Sequence, residues 1–203
     1  MTIYTPLELE AEVARRALAL GSARFVAAGE NKRPREMWCA GRFGTGFANN
    51  YDEACKIDIE EKDEQRDYDF RLLTAGASLD FQLVEVLEHD RRRGDEYWAR
   101  ERSGTGALLD DRPLKTREYA CEHIALRLDN KMKRLGPSGT LHMLLYLNLN
   151  VPDLPWASMS SAAEPFARSF ASIWIFSQYF VACLAGGTRW AGATGWKSID
   201  LMG

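Results

Sequence analysis

The sequence predicts an α/β (α+β) domain in which a mixed central sheet is flanked by helices. Three observations support this prediction: helical spacing of apolar residues before Cys55, alternation of apolar and polar residues from Cys55 to residue 87, and a continuous apolar run at residues 140–150. The predicted order is helices, three strands, a helix, a buried strand and a final helix. That order is typical of an α+β fold with a mixed sheet rather than a doubly wound fold.

Length, charge and cysteine content limit the classes of protein that the chain can represent. Its 203 residues suit one domain spanning 1–203, and its net charge of −3 provides no chain-wide positive field for nucleic acid. The four cysteines are far apart and show no CxxC spacing, so we expect reduced thiols. No segment resembles a signal peptide or reaches the about 20 apolar residues that cross a bilayer. We expect a cytoplasmic protein without membrane contact.

Two helices are predicted before the first strand. Thr5, Pro6 and Glu8 form a capping box with proline at the first helical position, and apolar residues continue at helical spacing to about Val26. The segment "REMWCAGRFGTGFA" predicts a second helix, opened by Pro34 and ended by the glycines at 44 and 46.

Residues 55–87 predict a three-stranded meander. The segments "CKIDIEEKD" and "DYDFRLL" alternate between apolar and polar residues, "TAGAS" is a turn, and "LDFQLVEVL" is a third strand.

The rest of the sequence predicts a helix, a buried strand and a second helix, in that order. "KTREYACEHIALRLDNKMKRLG" has a helical apolar face, and "TLHMLLYLNLN" is a strand covered on both sides. Ser161 and Glu164 form a second capping box before an aromatic run, which predicts a helix at 166–184. The C-terminal helix and tail, residues 160–203, are expected to pack on a core of about 30–150.

Carboxylates interrupt the apolar pattern of the meander. In a strand, Asp80 and Gln82 point to one face and Glu85 to the other, and a hairpin would bring Asp69 near Asp80. Two neighbouring carboxylates repel each other unless a cation lies between them. Oxygen ligands of this kind suit Mg²⁺ or Mn²⁺, so Asp69 and Asp80 are the predicted metal ligands.

The spacing of Asp69, ten residues, then Asp80-Phe81-Gln82, on a strand pair followed by a helix and a buried strand, resembles the restriction-endonuclease-like PD-(D/E)xK superfamily. The stretch "DFQLVEVLEHDRRRGDEY" is similar to small uncharacterised bacterial members of that superfamily. The resemblance covers about residues 30–150. It implies a restriction-endonuclease-like core and a metal-dependent nuclease acting on phosphodiesters of nucleic acid.

The resemblance also implies roles for individual residues. Asp69 and Asp80 would hold the metal, and Gln82 stands where the superfamily has its lysine, so Lys131 is the expected stand-in. Glu36 and Glu85 would assist as further carboxylates. The arginines Arg91, Arg92 and Arg93 would contact backbone phosphates.

Each of these signals also has a structural interpretation. Acids on an antiparallel strand often face water, and Glu85 could pair with an arginine. The segment "RRRGDEYWARER" also fits a solvated helix with ion pairs between its own side chains. With glutamine in place of the lysine, a catalytically inactive scaffold that binds nucleic acid or a protein partner is the alternative function. A homodimer is left open.

Overall fold

A computed structural model describes residues 2–21, 25, 32–59, 67–88, 102, 114–151, 154–177, 180–185 and 197–198. The helices are α1 (Pro6–Leu20), α2 (Lys32–Asn50), α3 (Arg117–Leu135) and α4 (Trp156–Ala163), and a 3-10 turn at Glu164–Phe166 follows α4. The strands are β1 (Thr2–Tyr4), β2 (Lys56–Ile59), β3 (Phe70–Thr74), β4 (Ala77–Val86), β5 (Ser138–Leu147), β6 (Phe170–Phe176), β7 (Phe180–Ala185) and β8 (Lys197–Ser198).

These strands form one mixed sheet whose spatial order follows the chain from β1 to β8. The pairs from β1 to β4 are antiparallel, β4–β5 and β5–β6 are parallel, and β6–β7 and β7–β8 are antiparallel. The α3 crossover connects β4 to β5, as a parallel pair requires. The predicted α+β class, with a mixed sheet flanked by helices, is therefore confirmed, as are the meander and the buried strand at β5.

The first helix begins as predicted and ends earlier. Thr5 Oγ1 accepts a hydrogen bond from the Glu8 N–H at 3.3 Å, and the Glu8 carboxylate accepts one from the Thr5 N–H at 2.7 Å. The helix stops at Leu20 rather than Val26, because Gly21 takes a φ of 79°.

The second helix is longer than predicted. It runs to Asn50 and passes through Gly44, which was expected to end it. The absence of a side chain at Gly44 allows the helix to approach the sheet, because a Cβ there would lie 2.5 Å from Ile57 Cδ1 and 3.3 Å from Pro6 Cγ. Gly44 is therefore a close-packing position in the helix.

Two apolar cores lie on opposite faces of the sheet. The first contains residues of α1 and α2 packed on Ile57, Phe81 and Trp174, and Phe43 of α2 lies at its centre with several aromatic neighbours. The second contains residues of α3 and α4 packed on Val84. The central strands are thus covered on both faces.

The aromatic run predicted as a helix at 166–184 instead forms strands β6 and β7. Its side chains alternate between the two cores: Ile173 and Ile175 belong to the core under α3 and α4, whereas Trp174 and Phe176 belong to the core under α2. A run that is apolar on all sides fits a buried helix and a buried strand equally well, and this explains the wrong prediction.

No helix within the described residues is long and apolar enough to cross a membrane.

Candidate functional site

The β3–β4 hairpin determines where the predicted acids lie. Its turn pairs Thr74 with Ala77, and the same register places Arg71 directly opposite Asp80. Arg71 Nε donates a hydrogen bond to Asp80 Oδ1, and Arg71 Nη2 donates one to Oδ2 at 3.1 Å. Asp80 is therefore engaged through both oxygens by a guanidinium, in the bidentate geometry that arginine favours with carboxylates.

Asp69 lies just before β3 and is held by the backbone of β4. Its N–H donates to the Phe81 carbonyl at 2.8 Å, and its Oδ2 accepts from the Leu83 N–H at 2.7 Å. The carboxylate thus adds a hydrogen bond to β4 at the end of the β3–β4 hairpin. This contact gives Asp69 a structural role in the described residues.

Gln82 and Lys131, the residue expected to stand in for the missing lysine, are in contact. The Lys131 Nζ donates to Gln82 Oε1 at 2.7 Å, and Gln82 Nε2 donates to the Asp67 carbonyl at 2.6 Å. Gln82 is buried, and its two hydrogen bonds connect α3 to the loop before β3. The position where the resemblance expects a lysine is a structural bridge.

The other two predicted carboxylates lie away from Asp80. Glu36 is buried on α2 and pairs with Arg33 at 2.8 Å, while Arg33 Nη1 also donates to the Asp69 carbonyl at 2.9 Å. Glu85 accepts a hydrogen bond from Asn148 Nδ2 at 2.9 Å and lies on the opposite face of β4 from Asp80. In the described residues, neither carboxylate joins Asp80 in a group that could hold a metal ion.

The predicted phosphate-binding arginines, Arg91, Arg92 and Arg93, lie outside the described residues.

An open cleft lies beside Asp80, between the loop before β3 and the junction of α3 with β5. Its volume is about 690 Å³. The described lining consists of Asp67, Tyr68, Asp80, Leu135, Pro137, Ser138, Thr140 and Leu141. No lysine, arginine or histidine belongs to this described lining, so its charged groups are carboxylates.

A row of alternating charges crosses the sheet beside the cleft. Asp58 of β2 lies opposite Arg71, which lies opposite Asp80. The Arg71 guanidinium also stacks 4.7 Å from the centroid of the Tyr68 ring. The hydrogen bond to Asp80 is the main cause that raises the pKa of Arg71, and the negative charge of Asp58 adds to the increase.

Sequence reasoning missed Arg71, Asp58 and the cleft. A signal for Arg71 was present, because a two-residue turn in "TAGA" fixes the register, and counting back from Thr74 places Arg71 opposite Asp80. No comparable signal existed for the hydroxyl side of the cleft. Ser138 and Thr140 line the same cleft as Asp80 because β4 pairs with β5 in parallel, with Asp80 opposite Leu141.

Comparisons with known proteins give one similar structure. No protein-family model and no curated protein matches the chain. A solved structure of a protein of unknown function from Pseudomonas aeruginosa strain PAO1, described as a member of the monooxygenase superfamily, is 17% identical. It has a TM-score of 0.43, and the match covers 89% of this chain and 83% of that chain. A likeness of this size transfers neither an activity nor a cofactor.

The restriction-endonuclease-like assignment is wrong, as is the nuclease or nuclease-like scaffold function predicted with it. The acids on which both depended are bound within the fold, because Arg71 occupies both oxygens of Asp80 and the Leu83 N–H binds Asp69. Within the described part of the chain, no group of three or more histidine, cysteine, aspartate or glutamate residues could hold a metal ion.

Proposed function

We propose that the protein binds a small organic cation in the cleft beside Asp80. The observation that carries this proposal is the composition of the described lining: two carboxylates, two hydroxyl groups and one phenol ring line a cleft of about 690 Å³. The described lining contains no lysine, arginine or histidine, and the neighbouring Arg71 is paired with Asp80. That volume is within the range of small-molecule sites.

The polar groups of the cleft suit an ammonium group. An ammonium donates three hydrogen bonds and accepts none, and the carboxylates of Asp67 and Asp80 and the hydroxyl oxygens of Ser138 and Thr140 are acceptors. The cleft also lies at the C-terminal end of α3, where Leu135 is the last helical residue.

The apolar part of the lining indicates the rest of the ligand. Leu135, Pro137 and Leu141 line the cleft together with the polar groups. A short methylene chain would bury its carbon atoms against these side chains while its amines reach the carboxylates. An aliphatic diamine therefore matches both parts of the lining.

The test is calorimetric titration with 1,4-diaminobutane, using 1,4-butanediol as a neutral probe of matched length. We expect the diamine to bind at least about tenfold more tightly, a difference of about 1.4 kcal/mol, and the difference to shrink at high salt. Asp67→Asn should weaken diamine binding, since Asp67 is an exposed lining carboxylate.

The matched control is Glu122→Gln, which removes an exposed carboxylate on α3 about 20 Å along the helix from Leu135. This variant should bind the diamine like the wild type. Equal binding of diamine and diol, or equal losses in Asp67→Asn and Glu122→Gln, would contradict the proposal.

Four other expectations stay predictions: a cytoplasmic location, a homodimer, contact with nucleic acid and an Mg²⁺ or Mn²⁺ cofactor. The metal expectation has a direct test, manganese titration of the wild type and of Asp69→Ala and Asp80→Ala. Binding lost in both variants would support it, and no binding to the wild type would exclude it for the free protein.

A further inference from the structure

The buried carboxylate of Asp58 lies opposite Arg71 but is not part of the described lining of the cleft. Asp58 is 1% exposed, and neither of its oxygens has a hydrogen-bond partner within the described residues. A buried carboxylate without a partner is unfavourable, because it has lost its hydration without a replacement. Asp58 therefore has capacity to accept a donor that approaches it.

Arg71 is the donor closest in the sheet register. Asp58 and Arg71 are directly opposite each other on β2 and β3, as Arg71 and Asp80 are on β3 and β4. Directly opposite residues on antiparallel strands have Cβ atoms about 5 Å apart and share one face of the sheet. The long arginine side chain can thus reach a carboxylate on either neighbouring strand.

Arg71 and Asp80 are each about one-third exposed, with side-chain exposures of 31% and 32%. An ion pair at this exposure is weak, so a cation entering the cleft can compete for Asp80. Displacing Arg71 would be unfavourable if the guanidinium then had no carboxylate partner. Asp58 can be that partner, because it lies opposite Arg71 on the neighbouring strand.

We propose that Arg71 is an internal counter-ion that exchanges between Asp80 and Asp58, leaving Asp80 for a cationic ligand while Asp58 holds the displaced guanidinium. Asp58 is then a positioning residue of the ligand site, although it does not line the cleft. The identity of the ligand rests on the proposed function, whereas the exchange of Arg71 can be measured without any ligand.

The ligand-free test is a double-mutant cycle of Asp58→Asn and Asp80→Asn, followed by urea unfolding. Either single variant leaves Arg71 one carboxylate, whereas the double variant leaves none. We expect the double variant to increase the unfolding equilibrium constant at least about fivefold beyond the product of the two single effects. Agreement with that product within about twofold, the usual limit of additivity, would overturn the exchange.

The same cycle in an Arg71→Gln background is the control. Repulsion between the two aspartates would also couple them, but that coupling would persist without the arginine. Exchange of Arg71 predicts that the coupling disappears in Arg71→Gln. Coupling that survives would overturn the proposal.

A second measurement covers the case in which the double variant does not fold. In Asp80→Asn alone, the Arg71 Nε–H should remain protected from solvent exchange by NMR, because Asp58 now accepts it. Protection that is lost in this variant would overturn the exchange. Folding of each variant is checked by circular dichroism.

Titration of 1,4-diaminobutane into Asp58→Asn separates this inference from the proposed function. Exchange predicts at least about threefold weaker binding in this variant, since displaced Arg71 has no acceptor. Unchanged binding of the diamine would overturn the exchange and leave the cleft proposal standing. Coupling of Asp58 with Asp80 in the ligand-free cycle, without any diamine binding to the wild type, would support the exchange and contradict the proposed function.

Discussion

At the scale of single residues, His142 shows how burial determines a protonation state. Its Nδ1 lies 2.6 Å from Ser172 Oγ, and Trp174 Nε1 donates to the same oxygen at 2.7 Å. Because the tryptophan N–H can only donate, the serine hydroxyl is free to donate to the imidazole. This arrangement suits neutral His142, whose protonated ring would turn an acceptor nitrogen into a donor.

The pH dependence of stability follows from His142. Burial lowers the pKa of His142 to about 4 from an ordinary value of 6.5, and the charge of Asp80 opposes part of this shift. Between pH 6.5 and pH 4 the unfolded chain therefore binds more protons than the folded protein. The free energy of unfolding is therefore highest above pH 6.5 and decreases as the pH falls toward 4. We expect a loss of about 3 kcal/mol across this range, measured by urea unfolding at a series of pH values.

The control for this prediction is a pair of substitutions. His142→Gln keeps a carbonyl acceptor for Ser172 but removes the titrating ring. The variant should therefore lose much less free energy of unfolding between pH 6.5 and pH 4 than the wild type. His123→Gln, which removes a histidine from α3, should retain the loss. An identical acid response in wild type and His142→Gln would show that other groups cause it.

At the scale of elements, the contact between α2 and β2 depends on Gly44. We expect Gly44→Ala to lower the free energy of unfolding by about 1 kcal/mol, because overpacking against buried Ile57 costs about 1–3 kcal/mol while alanine recovers about 1 kcal/mol of helix propensity. Thermal and urea unfolding would measure this. The tightest contact is with one atom, the Cδ1 of Ile57, which would lie 2.5 Å from the new Cβ.

Removing that atom is therefore the decisive control. In an Ile57→Val background the closest methyl group is absent and only the contacts at 3.3 Å remain, so Gly44→Ala should lower the free energy of unfolding by less. An equal loss in both backgrounds would mean that contact with Ile57 is not the reason for glycine at this position.

The elements also show what the sequence could and could not predict. The meander was predictable because apolar and polar residues alternate along β2 and β3, and the register of Arg71 with Asp80 follows from the short turn. Strands β6 and β7 were not predictable from the sequence. Trp174 and Ile175 are fully buried on opposite faces of the sheet, so the run shows no alternation of apolar and polar residues. The sequence predicts a helix end at Gly44, because the packing that requires glycine there is against Ile57, on a strand distant in sequence.

At the scale of the whole molecule, burial is uneven across the sheet. Strands β4, β5 and β6 lie between two apolar cores, and Leu144, Leu145 and Trp174 are fully buried. Strand β1 at the other end of the described sheet pairs with β2 over three residues, and its Ile3 side chain is 47% exposed. Opening β1 therefore exposes little apolar surface, whereas opening β5 requires separation of both cores.

Hydrogen exchange should reveal this difference as two regimes. We expect the amides of Leu144 and Trp174 to exchange only through global unfolding, with rates that increase steeply with urea. The ladder amides of β1 should exchange through local opening, with little dependence on urea, because little surface is exposed. Native-state exchange followed by NMR at several sub-denaturing urea concentrations measures both slopes. Equal slopes for β1 and β5 would mean that the sheet opens as a single unit despite its uneven burial.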